Sequence, residues 1–179
     1  QELPKAAIGY RIAGDATYNI GNPNDAAVLY RQTVDLNPIG GNYQRLVAAQ
    51  SRANSPEFRK TATEWLQAHP ADYRPALMLA ADAERRGDKK AALEYYRKVI
   101  KHTPDHPGAL NNAAWLLIKK NNPLALEYAE RAHKLAPDNL NIADTYGLVL
   151  LQGGHLEKGM QVLHQTASKA PHRPEFSYH

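Results

Sequence analysis

Six prolines recur along this chain with a near-constant period. Pro4, Pro38, Pro70, Pro104, Pro137 and Pro171 are separated by 34, 32, 34, 33 and 34 residues. Self-similarity at about this spacing marks a stack of helix–turn–helix units, each of which buries its apolar face only against its neighbours. The period constrains the fold more than any other feature of the sequence. It excludes a globule around one central core and points to an all-helical array. The 179 residues accommodate about five such units.

The residues between the prolines support this phase. From Tyr73 to His106, Ala76, Leu79, Ala80 and Ala83 fall at three- and four-residue spacing, one face of a helix. Gly87 and Asp88 interrupt it, and Asp88 is placed to cap the next helix by accepting backbone N–H bonds. Ala91, Ala92, Tyr95, Tyr96 and Val99 form a second stripe, which Pro104 ends because proline disfavours a helical residue before it. Small residues let two backbones approach where the helices cross, and Tyr96 fills the space one turn later.

Ala13–Gly14, Ala26 and Tyr30 take these roles in the first unit, and Ala48, Ala49, Phe58, Ala62 and Trp65 keep the rhythm in the second. Ala113–Ala114, Ala125, Ala129 and Ala132 do so in the fourth, and Tyr146–Gly147, Gly159 and Leu163 in the fifth. Pro23, Pro56 and Pro123 each follow a capping residue, Asn22, Ser55 and Asn122, and are expected to open second helices, where a missing N–H costs nothing. Pro75, Pro107 and Pro174 are expected to open first helices.

Leu79–Ala80, Ala92, Tyr96 and Pro104, and more loosely Tyr146–Gly147, Gly159, Leu163 and Pro171, resemble the tetratricopeptide repeat. The resemblance covers residues 7–173. It implies a TPR-type solenoid of about five repeats (7–38, 39–72, 73–106, 107–139 and 140–173), with 174–179 beginning a truncated sixth, all in one domain over 1–179. It further implies a right-handed superhelix with a concave groove lined by the first helix of each pair. A narrower resemblance lies in residues 110–139, 142–154 and 174–179, which look like the repeat lipoproteins of the PEP-CTERM/exosortase system. Ala114, Tyr146 and Leu148 depart from that pattern. This second resemblance implies a portion of a longer lipoprotein in the periplasm or attached to the outer membrane, linked to exopolysaccharide production or protein sorting. Without it, a cytoplasmic setting is the alternative.

Composition narrows the function classes. There are no cysteines, so disulfides, thiolate metal sites and cysteine nucleophiles are excluded. The net charge of +4 is scattered, with only short pairs such as Arg85–Arg86, Lys89–Lys90 and Lys119–Lys120, whereas nucleic-acid binders carry a clustered stripe. Apolar runs such as Leu148–Leu151 are too short to span a bilayer. His102 and His106 flank Pro104, so they do not share a helical face, and no metal-ligand spacing is present. Glu127 and Glu130 share a face without a cleft between them. No GxSxG, P-loop or GxGxxG motif occurs. No catalysis and no cofactor are expected.

What remains is recognition. By position in the repeat, the expected groove residues are Arg11, Asp15, Arg45, Arg74, Leu77, Ala81, Asn111, Asn112, Trp115, Asp144 and Leu148. Asn111 with Asp144, and Asn112 with Thr145, occupy equivalent places in consecutive first helices. They read either as a polar patch for a ligand backbone or as an internal network fixing register. Trp115 reads either as an exposed anchor or as core. The leading expectation is a scaffold that binds a protein or peptide in its groove. The alternative is a structural spacer or self-association segment without a ligand of its own, and the face carrying Leu156, Met160, Leu163 and Thr166, with only Phe176 and Tyr178 as cover, is expected to be covered by another chain or another element.

Overall fold

The computed structural model describes residues 4–118 and 122–169, and all regular structure among them is helical. Ten helices follow in order: α1 (Lys5–Asn19), α2 (Pro23–Leu36), α3 (Gly40–Arg52), α4 (Phe58–Ala68), α5 (Arg74–Arg85), α6 (Lys89–His102), α7 (Pro107–Ile118), α8 (Pro123–Leu135), α9 (Leu140–Gln152) and α10 (Leu156–Lys169). Contacts divide the chain into two compact units, and the division falls between Leu79 and Ala80, inside α5. In the first unit α1 packs on α2, α2 on α3 and α3 on α4. In the second, α7 packs on α6, α8 and α9, and α9 on α8 and α10.

One turn is used four times to reverse the chain after a first helix. Gly21, Asn54, Gly87 and Gly154 have φ of 88°, 51°, 74° and 83°. The next residue's N–H reaches back to a carbonyl five residues earlier: Asn22 to Thr17, Ser55 to Gln50, Asp88 to Ala83 and His155 to Leu150, at 2.8–3.1 Å. This is the left-handed helix ending that satisfies carbonyls the helix itself leaves open, and glycine adopts it without steric cost. After Gly21 and Gly87 the following residue then caps the next helix. The Asn22 side chain accepts from the Asp25 N–H and that of Asp88 from the Ala91 N–H. Asn122 and Asn139 cap α8 and α9 in the same manner.

Pro23 and Pro123 open second helices and Pro107 opens a first helix, while Pro75 is the second residue of α5. Pro56 does not follow the expected pattern. It lies in a turn, and α4 begins at Phe58 with no side-chain cap. The Ser55 hydroxyl accepts instead from the Glu57 N–H two residues on, which closes a local turn ahead of the helix. Pro171 and Pro174 lie outside the described residues.

The small-residue crossings are tight. A Cβ on Gly14 would stand 2.7 Å from the Tyr30 ring, and one on Gly147 would stand 2.7 Å from Leu163. Ala13, beside Gly14, is exposed, because adjacent helical residues point about 100° apart and only one of them faces the crossing. Ala26, Ala62, Ala80, Ala92, Ala113, Ala114 and Ala132 are fully buried, and Trp65, Leu46, Leu110 and Leu117 fill the spaces between them. On α10, Gly159 and Thr166 face inward, while Leu156 and Met160 are exposed. Phe176 and Tyr178, expected as cover for that face, lie outside the described residues.

One half-buried ring contact in the second unit holds a titratable group. The His133 ring stacks on Tyr146 with centroids 5.0 Å apart, and the Lys158 ammonium sits 5.5 Å from the same Tyr146 ring. Burial, reinforced by Lys169 and Lys158, pushes the imidazole below its ordinary value near 6.5. The unfolded chain therefore binds this proton more readily than the folded one, and stability rises with pH through the interval below 6.5. The melting temperature should fall between about pH 7.5 and 5.5, and His133→Gln should flatten that slope. An unchanged slope in the variant would place the pH dependence elsewhere.

Candidate functional site

In the first unit, one face of α1 and α3 carries a polar network. Arg11, Asp15 and Tyr18 are spaced four and three residues apart on α1, and Arg45, Ala48 and Arg52 line the matching face of α3. Asp15 is the centre. Its Oδ1 accepts from the Tyr30 hydroxyl at 2.8 Å and from Arg45 Nε at 3.1 Å, and its Oδ2 lies 3.9 Å from Arg11. Arg45 also donates to the Gly41 carbonyl at 3.2 Å. Burial, then the hydrogen bond to Asp15, push the Tyr30 phenol well above its ordinary value, so it remains a donor. A cavity of about 380 Å³ lies here, lined by Asp15, Tyr18, Tyr30, Gln44, Arg45 and Ala48. The Arg52 guanidinium sits 5.0 Å from the centre of the Tyr18 ring.

Arg74 closes a second network. It grips both Asp72 oxygens at 2.8 and 2.6 Å, donates to Gln44 Oε1 at 2.7 Å and lies 5.3 Å over the Trp65 ring. The hydrogen bond from Arg74 holds the Asp72 carboxyl below the usual carboxylate range. Leu77, further along α5, is half-buried.

In the second unit, the polar pair on α7 points into a relay. Asn111 Nδ2 donates to Asn112 Oδ1 at 3.1 Å, Asn112 Nδ2 to the Tyr96 hydroxyl at 2.8 Å, and Tyr96 to Glu84 Oε2 at 2.8 Å. Burial and Glu84 raise the Tyr96 phenol well above its ordinary value, which keeps the relay running toward the carboxylate. Thr145 is buried and donates to the Asn141 carbonyl of its own helix. Trp115, one turn beyond Asn111, is 49% exposed. Asp144 and Leu148 are half-buried on α9, which packs against α7, and Ala81 is exposed on α5.

The structure thus joins Arg11, Asp15 and Arg45 directly, ties Arg74 to Gln44, and links Asn111 to Asn112. Tyr18, Gln44 and Arg52 were missed by the sequence reasoning. Extending the α1 and α3 faces by seven residues from Arg11 and Arg45 finds Tyr18 and Arg52. Glu127 and Glu130 lie within 3.4 Å of Arg131 and Lys134, one turn along α8. Among the described residues, no three His, Cys, Asp or Glu side chains are grouped to hold a metal ion, and no helix is long and apolar enough to cross a membrane.

Comparison with known proteins agrees with this architecture. Residues 75–106 match the tetratricopeptide repeat family model. A TPR repeat-containing protein of Pseudomonas aeruginosa is 28% identical over 131 residues, covering 70% of this chain and 22% of that protein. The chain thus spans about a fifth of the length of this curated relative. Among solved structures, MamA from Desulfovibrio magneticus superposes with a TM-score of 0.78 at 12% identity, covering 97% of this chain and all of that one. A tetratricopeptide repeat protein from Parabacteroides merdae gives 0.80 at 15% identity, covering 94% and 68%. YrrB, described as a TPR protein with an unusual peptide-binding site, gives 0.72 at 15% identity, covering 93% and 88%. At these identities the likeness establishes the fold: an all-α tetratricopeptide repeat array of about five helix pairs.

Proposed function

We propose that this chain is a non-catalytic scaffold that binds a peptide or protein partner on the faces of its first helices. The observation that carries the reading is Trp115. An indole half exposed on α7, in a chain whose other tryptophan is fully buried, is a large apolar surface left in water. Indoles are among the side chains that dominate binding interfaces. Asn111 is one turn away on the same helix, and α9, which carries Asp144 and Leu148, packs against α7. A spacer gives no reason to expose such a group, so the scaffold is preferred over a purely structural segment. The peptide-binding site described for YrrB is in keeping with this use of the fold. For the biological setting, the narrower sequence resemblance proposes a bacterial envelope protein linked to exopolysaccharide production or protein sorting, and it rests on those stretches alone.

The test is selection of peptides from a displayed random library on the full chain. Binding by the selected peptides should weaken tenfold or more in Trp115→Ala, the loss of about 1.4 kcal/mol or more expected for an anchor. Circular dichroism should be unchanged, since the side chain is half exposed. A library that yields no binder, or binders indifferent to Trp115→Ala, would favour the spacer.

A further inference from the structure

We infer that the cavity on α1 and α3 takes an acidic peptide segment, in extended form, with two carboxylate side chains three residues apart. This rests on the scaffold reading above and names the ligand class for the first unit. Asp15 is committed inward: one of its oxygens holds both Tyr30 and Arg45. Arg11 has only the long 3.9 Å approach to that same carboxylate, which Arg45 already shares. Asp72 is likewise occupied by Arg74 at both oxygens. Arg52 lies against the Tyr18 ring, and no carboxylate contact is seen for it among the described residues. The exposed face therefore carries four arginines against two carboxylates, and the cations left over are Arg11 and Arg52.

Each of these two touches a residue that lines the cavity, Arg11 at Asp15 and Arg52 at Tyr18. Arg11 and Tyr18, over which Arg52 sits, are seven residues apart on α1, a rise of about 10 Å at 1.5 Å per residue. An extended peptide in the polyproline II form advances about 3.1 Å per residue with three residues per turn, so carboxylates at positions one and four fall on one side about 9 Å apart and match the spacing. Gln44 and the remaining donors of Arg45 line the space between them for the ligand backbone. A nucleic acid suits the surface less well. Its affinity accumulates over many phosphate contacts, and the face of Tyr18 on which a base would stack is already covered by Arg52.

The experiment measures fluorescence anisotropy of rhodamine-labelled peptides with blocked ends on the full chain. The probes are Gly-Ala-Glu-Ser-Ala-Glu-Ala-Gly, the same peptide with both glutamates replaced by glutamine, and the same with both replaced by lysine. Single-stranded dT12 is a fourth arm. The glutamate peptide should bind about tenfold more tightly than the glutamine peptide, with each charge contributing the few-fold typical of exposed pairs. Arg11→Gln and Arg52→Gln should each remove about three- to fivefold, and about 0.5 M salt should erase most of the preference. Equal binding of the glutamate and glutamine peptides overturns the acidic specificity and leaves the scaffold reading standing. A glutamate preference that survives in both variants overturns the site. Binding of dT12 as tight as that of the glutamate peptide overturns the ligand class. No binding of any probe overturns the inference as a whole, and the Trp115-dependent selection then decides the scaffold reading separately.

Discussion

Trp65→Ala is expected to destabilise the first unit by about 3–5 kcal/mol, the range for deleting a fully buried aromatic side chain. Trp65 has no exposed surface, stacks on Tyr43 with ring planes 7° apart, and has the Arg74 guanidinium 5.3 Å from its ring centre. The substitution therefore opens a cavity and also removes the surface that orients Arg74 toward Gln44. Trp65→Phe should cost less, since an aromatic ring remains to stack on Tyr43. Urea unfolding followed by circular dichroism at 222 nm measures both. An Ala variant that unfolds within about 1 kcal/mol of the parent would show that this part of the chain is not held by the Trp65 core.

Ala92→Trp is the matching experiment in the second unit, and a loss of about 3 kcal/mol or more is expected, at or beyond the upper end of ordinary overpacking. Ala92 is fully buried at the start of α6, at the place in the repeat taken by Ala26 in α2, Ala125 in α8 and Gly159 in α10. The last of these shows how little room the position leaves. Even a single Cβ on Gly159 would come within 2.8 Å of Leu151 and 3.0 Å of the Gly147 carbonyl oxygen. An indole at Ala92 has to push the crossing helix away or turn out into water, and either course loses the contacts of Tyr96 and Val99 nearby. A melting temperature unchanged from the parent would mean that the small-residue register has been placed on the wrong face.

The helices and their crossings were legible because the signals are local. Proline and glycine mark ends, Asn22 and Asp88 cap beginnings, and apolar spacing of three and four residues gives the buried stripe. The misreading at Ser55–Pro56 has a local cause as well. Serine before proline looks like a cap, but the chain needs a longer turn there, and Ser55 binds two residues ahead rather than holding the first turn of α4. Asn54 hid the matching reversal, since asparagine enters the left-handed region less freely than the glycines at 21, 87 and 154.

The candidate site was legible only as a set of positions. Repeat phase named Arg11, Asp15 and Arg45, but not that they would converge on one carboxylate, because Asp15 and Arg45 lie 30 residues apart and meet only once α1 and α3 are side by side. Tyr30 was read as filler, and its hydroxyl, which makes Asp15 a structural acceptor, was overlooked. On α7 the polar pair reads from sequence either as a ligand patch or as an internal network, and the Asn112–Tyr96 bond that bears on the choice depends on where Tyr96 ends up.

The opposite surroundings of the two tryptophans make the chain its own optical probe. Trp65, sealed in the first unit, should emit at short wavelength and resist acrylamide quenching until that unit opens, whereas Trp115, half in water, should emit to the red and quench readily. Unfolding and ligand occupancy then register in separate parts of one emission spectrum. Trp65→Phe and Trp115→Phe variants assign each part without any attached dye.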